Sequence, residues 1–408
     1  MHIGFFADIR YGSPGGIQQY AERVFKALYD HTDHRITVFT NAKFFENFFT
    51  RFPGDSRLQF ITTSSSHDAY RKLAYNAVSR NFSSAIIDSN SMMKNVTAVM
   101  GNFRTKIDRS GVDVIHFPFQ FLPAYRWNIP TVISQHDLQH EYYPEFFSKA
   151  EIKNRNTHFR KSALNADHII VSFDHVKNDI VKFYGQPEQK ITVTGLGADT
   201  YFEGATLIAE SDLRGKFALN ERYLFLPAQT WPHKNHLGLL KALLILRERG
   251  ISDLNLVCTG KKTDYFLKLE QFIQENGLSS QVHFPGFVSI NELFSLYHYS
   301  SLVVIPTLYE AGSFPLFEAM SLRTPVICSD VTSLPDTIGN ASYIFDPLSP
   351  DSIANKIMEA LQSPDFIAEN KENSQIQMNR FVWEMVIPNF ISAYYTAIET
   401  FDHKKKKS

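Results

Sequence analysis

The stretch Ser301-Leu-Val-Val-Ile-Pro306-Thr-Leu-Tyr-Glu310-Ala-Gly-Ser-Phe-Pro315-Leu-Phe-Glu318-Ala-Met320 decides the fold class of this chain. Its first five residues form an apolar run bounded by Pro306, which predicts a short buried strand. Beyond Pro315, the apolar residues Leu316, Phe317, Ala319 and Met320 fall at helical spacing. A strand, a turn of small residues and a helix make up the repeating unit of a parallel α/β sheet. Glu310 then sits at the strand end and Glu318 inside the helix. The backbone N–H groups around Gly312, Ser313 and Phe314 fall at the helix N-terminus, where orphan donors and the helix dipole favour an anionic or polyhydroxylated ligand.

The same unit recurs on both sides of this stretch. Strand candidates separated by helical patterns run from His2 to Ala7, Arg35 to Thr40, Val112 to His116, Thr131 to Ser134, His168 to Ser172 and Lys190 to Thr194. A second series runs from Tyr223 to Pro227, Asn255 to Thr259, Val282 to Phe284, Leu302 to Pro306, Val326 to Ser329 and Ser342 to Phe345. Gly195-Leu-Gly-Ala-Asp-Thr-Tyr-Phe-Glu-Gly204 separates the two series, is glycine-rich, lacks helical periodicity and reads as a linker. The expected architecture is α/β with two Rossmann-like, doubly wound parallel-sheet domains. The first covers residues 1–205 and the second 206–384, followed by a terminal helix and basic tail over 385–408.

Length and composition agree with two domains, since 408 residues with 44% hydrophobic content exceed what one core ordinarily organises. A formal net charge of −1 leaves no basic field for nucleic acid, so no nucleic-acid partner is expected. The two cysteines, Cys258 and Cys328, lie singly in apolar runs and make neither a metal cluster nor a redox pair, as small core residues do in a reducing compartment. Met1-His-Ile-Gly-Phe-Phe-Ala-Asp8 reads as a first strand and not a leader peptide, and no apolar run approaches the roughly 20 residues that cross a bilayer. A cytoplasmic location follows as the expectation. Lys404-Lys-Lys-Lys407 reads first as a solvated tail and second as a peripheral contact with anionic headgroups at the inner face of the membrane.

Candidate site residues fall at predicted strand-to-helix turns, where open α/β sheets bind ligands. Gly15 and Gly16, before a helix carrying Tyr20, Val24, Phe25 and Leu28, let backbone N–H groups approach a phosphate without interference from Cβ. Lys234 and Asn235 begin an apolar helix, where a cation opposes the dipole unless an anion occupies the place. His136 follows the Thr131 to Ser134 strand. His116 ends another strand and reads as a core or loop residue. The chain contains no Asp-x-Asp pair, so no divalent-metal clamp and no metal-ligating residue are expected.

The segments from 223 to 236 and from 301 to 350 resemble the family-4 retaining glycosyltransferases of the GT-B fold, glycosyl transferases group 1, whose Glu-x7-Glu motif corresponds to Glu310 and Glu318. Arg323-Thr-Pro-Val-Ile-Cys-Ser-Asp330 is similar to that family as well. The resemblance implies two domains facing across a cleft, closing about residues 195 to 215. It also implies transfer of a hexose from a nucleotide-sugar co-substrate to a saccharide or lipid-linked saccharide, with no other cofactor. It assigns Lys234 to the donor diphosphate, Glu310 to the sugar hydroxyls, Glu318 to the ribose, His136 to the reacting sugar, and Gly260 and Phe287 to the nucleotide side of the cleft. The turn around Gly312, Ser313, Phe314, Pro315 and Leu316 completes the donor site. Two departures stand out: Ala311-Gly-Ser-Phe-Pro315 replaces the usual Gly-Phe-Gly-Leu-Pro turn, and Ala228 and Gln229 stand where an arginine commonly precedes the lysine.

The segment from Pro227 to His236 is similar to mannosyltransferases of polysaccharide and lipopolysaccharide assembly, which favours GDP-mannose over a UDP-hexose. A sugar-nucleotide epimerase or phosphorylase on the same architecture is less favoured by the His-Asp-Leu and Lys-Asn segments. A non-catalytic nucleotide-sugar binding or scaffold protein is the alternative from another class.

Overall fold

The computed structural model describes residues 1–7, 16–40, 55–62, 104–198 and 202–407. They form two compact units, one of Met1–Gly195 with Trp383–Ser408 and one of Leu196–Val382.

The first unit is built on a seven-stranded sheet ordered β3-β2-β1-β4-β5-β6-β7. Its strands are β1 (His2–Phe6), β2 (Arg35–Thr40), β3 (Leu58–Thr62), β4 (Val114–Phe117), β5 (Thr131–Ser134), β6 (His168–Val171) and β7 (Ile191–Val193). Neighbouring strands pair in parallel throughout. Being covered on both faces, β1, β4, β5 and β6 are buried along their whole length. The sequence reading omitted β3, a short strand with polar Gln59 inside it that pairs with β2 at the edge. It also began β4 two residues early. The backbone of Asp113 instead reaches sideways to His2, donating to its carbonyl at 2.8 Å, while the carboxylate accepts the His2 N–H at 2.6 Å.

The second unit carries a six-stranded parallel sheet ordered β10-β9-β8-β11-β12-β13. Its strands are β8 (Arg222–Pro227), β9 (Leu254–Thr259), β10 (Val282–Gly286), β11 (Leu302–Ile305), β12 (Val326–Ser329) and β13 (Ile344–Phe345). Cys258 on β9 and Cys328 on β12 are free thiols in its core, both pushed well above the usual thiol range by burial. β13 is shorter than the sequence suggests, because Ala341–Tyr343 form a 3-10 turn whose N-cap Asn340 accepts the Ser342 N–H at 2.9 Å. In each sheet the strand order reverses at one point, between β1 and β4 and between β8 and β11. Those switch points open a crevice beyond the carboxyl ends of the strands.

The terminal helix, Trp383–Lys407, packs against β4 to β7 of the first sheet and buries Phe390, Ala393, Tyr394 and Ala397. The helix continues through the lysine run, where Lys404, Lys405 and Lys406 are exposed. Lys404 Nζ donates to Asp167 Oδ1 at 2.8 Å, so that lysine is engaged by the protein's own carboxylate and not held in a loose tail. Among the described residues no helix is long and apolar enough to cross a membrane.

Candidate active site

The loops that follow β8 and β11 meet at the switch point of the second sheet. After Pro227 the chain turns through Gln229, whose side-chain Oε1 accepts the Trp231 indole N–H at 3.2 Å, and enters a 3-10 turn over Pro232–Lys234. Asn235 then caps the His236–Glu248 helix from a left-handed conformation, φ 55°, accepting the Gly238 N–H at 3.1 Å and donating to the Pro347 carbonyl at 2.8 Å. A Cβ at Gly238 would lie 2.6 Å from that cap, which accounts for a glycine inside the helix. Lys234 therefore closes the turn before the cap and does not occupy the first helical turn, as the sequence had suggested.

The two loops are stitched together by backbone. The His233 carbonyl accepts the Leu308 N–H at 2.7 Å and the Thr307 hydroxyl at 2.9 Å. As a result Lys234 Nζ lies 2.6 Å from Glu310 Oε2, with side chains only 19% and 12% exposed. The anion that the sequence reading demanded beside Lys234 is, in this state, the Glu310 carboxylate. The backbone of Glu310 is held from the loop after β12. Its N–H donates to Thr332 Oγ1 at 3.2 Å, and its carbonyl accepts from Thr332 Oγ1 at 2.7 Å and Ser333 Oγ at 3.3 Å.

Glu318 lies in the Phe314–Ser321 helix and is buried, its Oε2 accepting the Tyr297 hydroxyl at 2.8 Å. Ser313 is the N-cap and takes the Leu316 N–H on both its carbonyl and its hydroxyl, while the Leu316 side chain is buried in the core. Gly312, Phe314 and Pro315 are half-buried beside the cap. Gly260 ends β9 at φ +111°, and a Cβ there would meet the Gln229 nitrogen at 3.0 Å, so the loops after β8 and β9 approach as closely as they do because this residue is glycine. Phe287, just past β10, is 62% exposed.

In the first unit, His136 sits two residues beyond β5. Its Nε2–H donates to the Pro118 carbonyl at 3.2 Å, and its ring packs edge-on against Tyr20 at 4.6 Å between centroids. Burial lowers its pKa below the ordinary histidine value, so the ring is neutral at pH 7 and Nδ1 carries the lone pair. Behind it, His116 is fully buried, bonded through Nδ1 to the Tyr394 hydroxyl at 2.9 Å and through Nε2 to Ser134 Oγ at 2.8 Å. Ser134 meets the Tyr20 hydroxyl at 3.0 Å. Burial pushes His116 down to about 3. Gly16 begins the Gly16–Asp30 helix and is exposed, whereas Gly15 lies outside the described residues.

Tyr297, Thr332 and Ser333 escaped the sequence reading. Tyr297 stands 21 residues before Glu318, on a different helix, and no local motif links them. A cavity of about 550 Å³ lined by Arg222, Ser300, Arg323, Pro325 and Lys371 lies at the amino ends of β8, β11 and β12, the opposite edge of the sheet from Lys234.

Comparison with known proteins fits this arrangement. Residues 14–202 match the model described as Glycosyltransferase Family 4, and residues 210–378 match Glycosyl transferases group 1. The chain is a glycosyltransferase. It is similar to O-antigen chain mannosyltransferase B of Escherichia coli, 26% identical over 282 residues, which are 69% of this glycosyltransferase and 74% of that protein. O-antigen chain mannosyltransferase RfbU of Salmonella typhimurium is 28% identical over 240 residues, 58% of this chain and 62% of that one. Among solved structures, Anabaena Alr3699/HepE in complex with UDP and glucose has a TM-score of 0.68 at 18% identity, covering 96% of this chain and 99% of that one. A glycosyltransferase from Rickettsia africae ESF-5 has a TM-score of 0.68 at 17% identity, covering 97% and 98%. The fold class of the glycosyltransferase is GT-B, with two parallel-sheet α/β domains.

Proposed function

We propose that this glycosyltransferase moves a hexose, mannose in preference to others, from a nucleotide sugar to a saccharide or lipid-linked saccharide, with retention of anomeric configuration and without a metal ion. The observation that carries the proposal is the pairing of Lys234 with Glu310 at the switch point of the second sheet, with Glu318 on the adjoining helix. A bound diphosphate offers Lys234 a more highly charged partner than one carboxylate, which frees Glu310 to accept from sugar hydroxyls. Glu318, steadied by Tyr297, accepts from the ribose hydroxyls. Charge developing on the leaving diphosphate is stabilised by Lys234 and by backbone N–H groups of the turn at Gly312 to Phe314.

The family resemblance supports a one-step route to retention, in which the acceptor hydroxyl attacks from the face that the diphosphate leaves. On that route its proton passes to the departing phosphate oxygen, and no protein nucleophile is needed. His136, neutral and held at Nε2–H, presents Nδ1 as an acceptor that orients the sugar. Metal independence rests on the absence of an Asp-x-Asp pair in the sequence. The names of the mannosyltransferase relatives favour mannose as the sugar, and the resemblance of the segment from Pro227 to His236 supports GDP-mannose over a UDP-hexose as the donor. A lipid-linked acceptor would bring the enzyme to the inner membrane face as a peripheral protein.

The test is thermal stabilisation and slow donor hydrolysis with GDP-mannose, UDP-glucose, UDP-galactose and UDP-N-acetylglucosamine, each with chelator present and each repeated on Glu310→Ala. Stabilisation by GDP-mannose, with chelator-resistant hydrolysis that the variant loses, is the expected result. Preference for a UDP-hexose would overturn the donor, and loss of turnover in chelator would overturn metal independence.

A further inference from the structure

We propose that Thr332 is a positioning residue for Glu310, held in a strained conformation so that one hydroxyl fixes the backbone that carries the sugar-facing carboxylate. The inference rests on the reading of Glu310 as a donor-sugar contact. Thr332 has φ 52°, in the left-handed region that favours glycine. A β-branched residue there is a true outlier, and such strain persists where the surroundings over-determine it.

Glycine or asparagine would make the same turn without that strain. What threonine adds is its hydroxyl. That oxygen accepts the Glu310 N–H at 3.2 Å and donates to the Glu310 carbonyl at 2.7 Å, so a single side chain engages both polar groups of one residue 22 positions away. Glu310 lies in the loop between β11 and the Phe314–Ser321 helix and has no strand partner to fix it. Ser333 adds a longer contact to the same carbonyl, at 3.3 Å. From this clamp the Glu310 side chain reaches Lys234, so the strained turn after β12 sets where carboxylate and ammonium stand together.

The experiment compares Thr332→Gly, Thr332→Ser and Glu310→Ala for donor hydrolysis, sugar transfer and thermal midpoint. Thr332→Gly removes the strain and the hydroxyl together. Its kcat is expected to fall about tenfold, as a displacement of a substrate contact would cause, while the thermal midpoint stays level or rises. Thr332→Ser keeps the hydroxyl and should retain most of the transfer. A purely structural threonine would give the opposite pairing, with activity following stability. Wild-type kcat in Thr332→Gly, or equal losses in the glycine and serine variants, overturns the proposal. Should Thr332→Gly not fold, Thr332→Asn, which tolerates the left-handed backbone without the threonine clamp, takes its place with the same expectation. If Glu310→Ala hydrolyses donor normally, the reading of Glu310 falls and this proposal with it. If Glu310→Ala is inactive and the threonine variants are not impaired, the positioning role alone falls.

Discussion

Lys234 and Glu310 stand 76 residues apart in the chain and 2.6 Å apart in space, on loops leaving adjacent parallel strands. The contact forms because β8 and β11 flank the point where the sheet order reverses, so their carboxyl ends open into one crevice. Each of the two groups holds the other in place.

Replacing either member leaves the other charged and largely shielded from water. Lys234→Ala is expected to destabilise the second unit by about 1–3 kcal/mol, below the figure for a fully buried pair because both groups retain some exposure. It should also cut transfer by about 10²–10³-fold through loss of a diphosphate contact. Chemical denaturation and initial-rate measurements check both; an unaltered rate would remove Lys234 from the donor site.

Tyr297→Phe deletes the hydroxyl that donates to Glu318 and leaves the carboxylate otherwise in place. Because Glu318 is assigned to ground-state binding of the ribose, the effect should appear as a rise of about three- to tenfold in donor KM with kcat nearly constant. Steady-state kinetics at saturating acceptor measure this directly. A fall in kcat at constant KM would instead connect Glu318 to the chemical step.

Acidification should unfold the protein earlier than its carboxylates alone would dictate. Burial lowers His116 and His236 to about 3 and His168 and His175 to about 4. A histidine whose folded pKa lies below its unfolded value of about 6.5 binds its proton more readily in the unfolded chain, so stability is full above that pH and declines as pH falls through the window toward 4. Thermal midpoints taken between pH 7.5 and pH 4.5 should therefore fall steadily below about pH 6.5. A flat profile would show that these rings are already charged in the folded state.

Tyr394→Phe strips His116 of its Nδ1 partner inside the first unit. An unsatisfied buried nitrogen costs about 1–3 kcal/mol, and that loss should appear in the unfolding of the first unit. Stabilisation by nucleotide sugar, proposed to rest mainly on Lys234, Glu310 and Glu318 of the second unit, should persist in the variant. Loss of that response would mean that donor binding rests chiefly on the packing around His116.

Much of this was legible in the sequence, and what was missed has a physical pattern. Parallel strands covered on both faces spell continuous apolar runs, so twelve of the thirteen strands stand near where the residues place them, as Val326–Ser329 does to the residue. The edge strand β3 was invisible because Leu58-Gln-Phe-Ile-Thr62 mixes polar and apolar positions. Glu310, Glu318 and Lys234 could be found because a local motif surrounds each. Tyr297 and Thr332 could not, since their importance lies in contacts made across 21 and 22 positions of chain. The pairing of Lys234 with Glu310 is hidden for the same reason, since the sequence around the lysine points only to an anion and not to which one.

The terminal helix carries a consequence for how the protein is made. The first sheet is completed by residues 383–407, whereas the second unit is a single continuous span from Leu196 to Val382. A ribosome therefore releases everything the second unit needs before it supplies the helix that covers β4 to β7. The domain translated first is finished last, and until the final turns emerge its sheet offers an uncovered apolar face to chaperones or to other nascent chains.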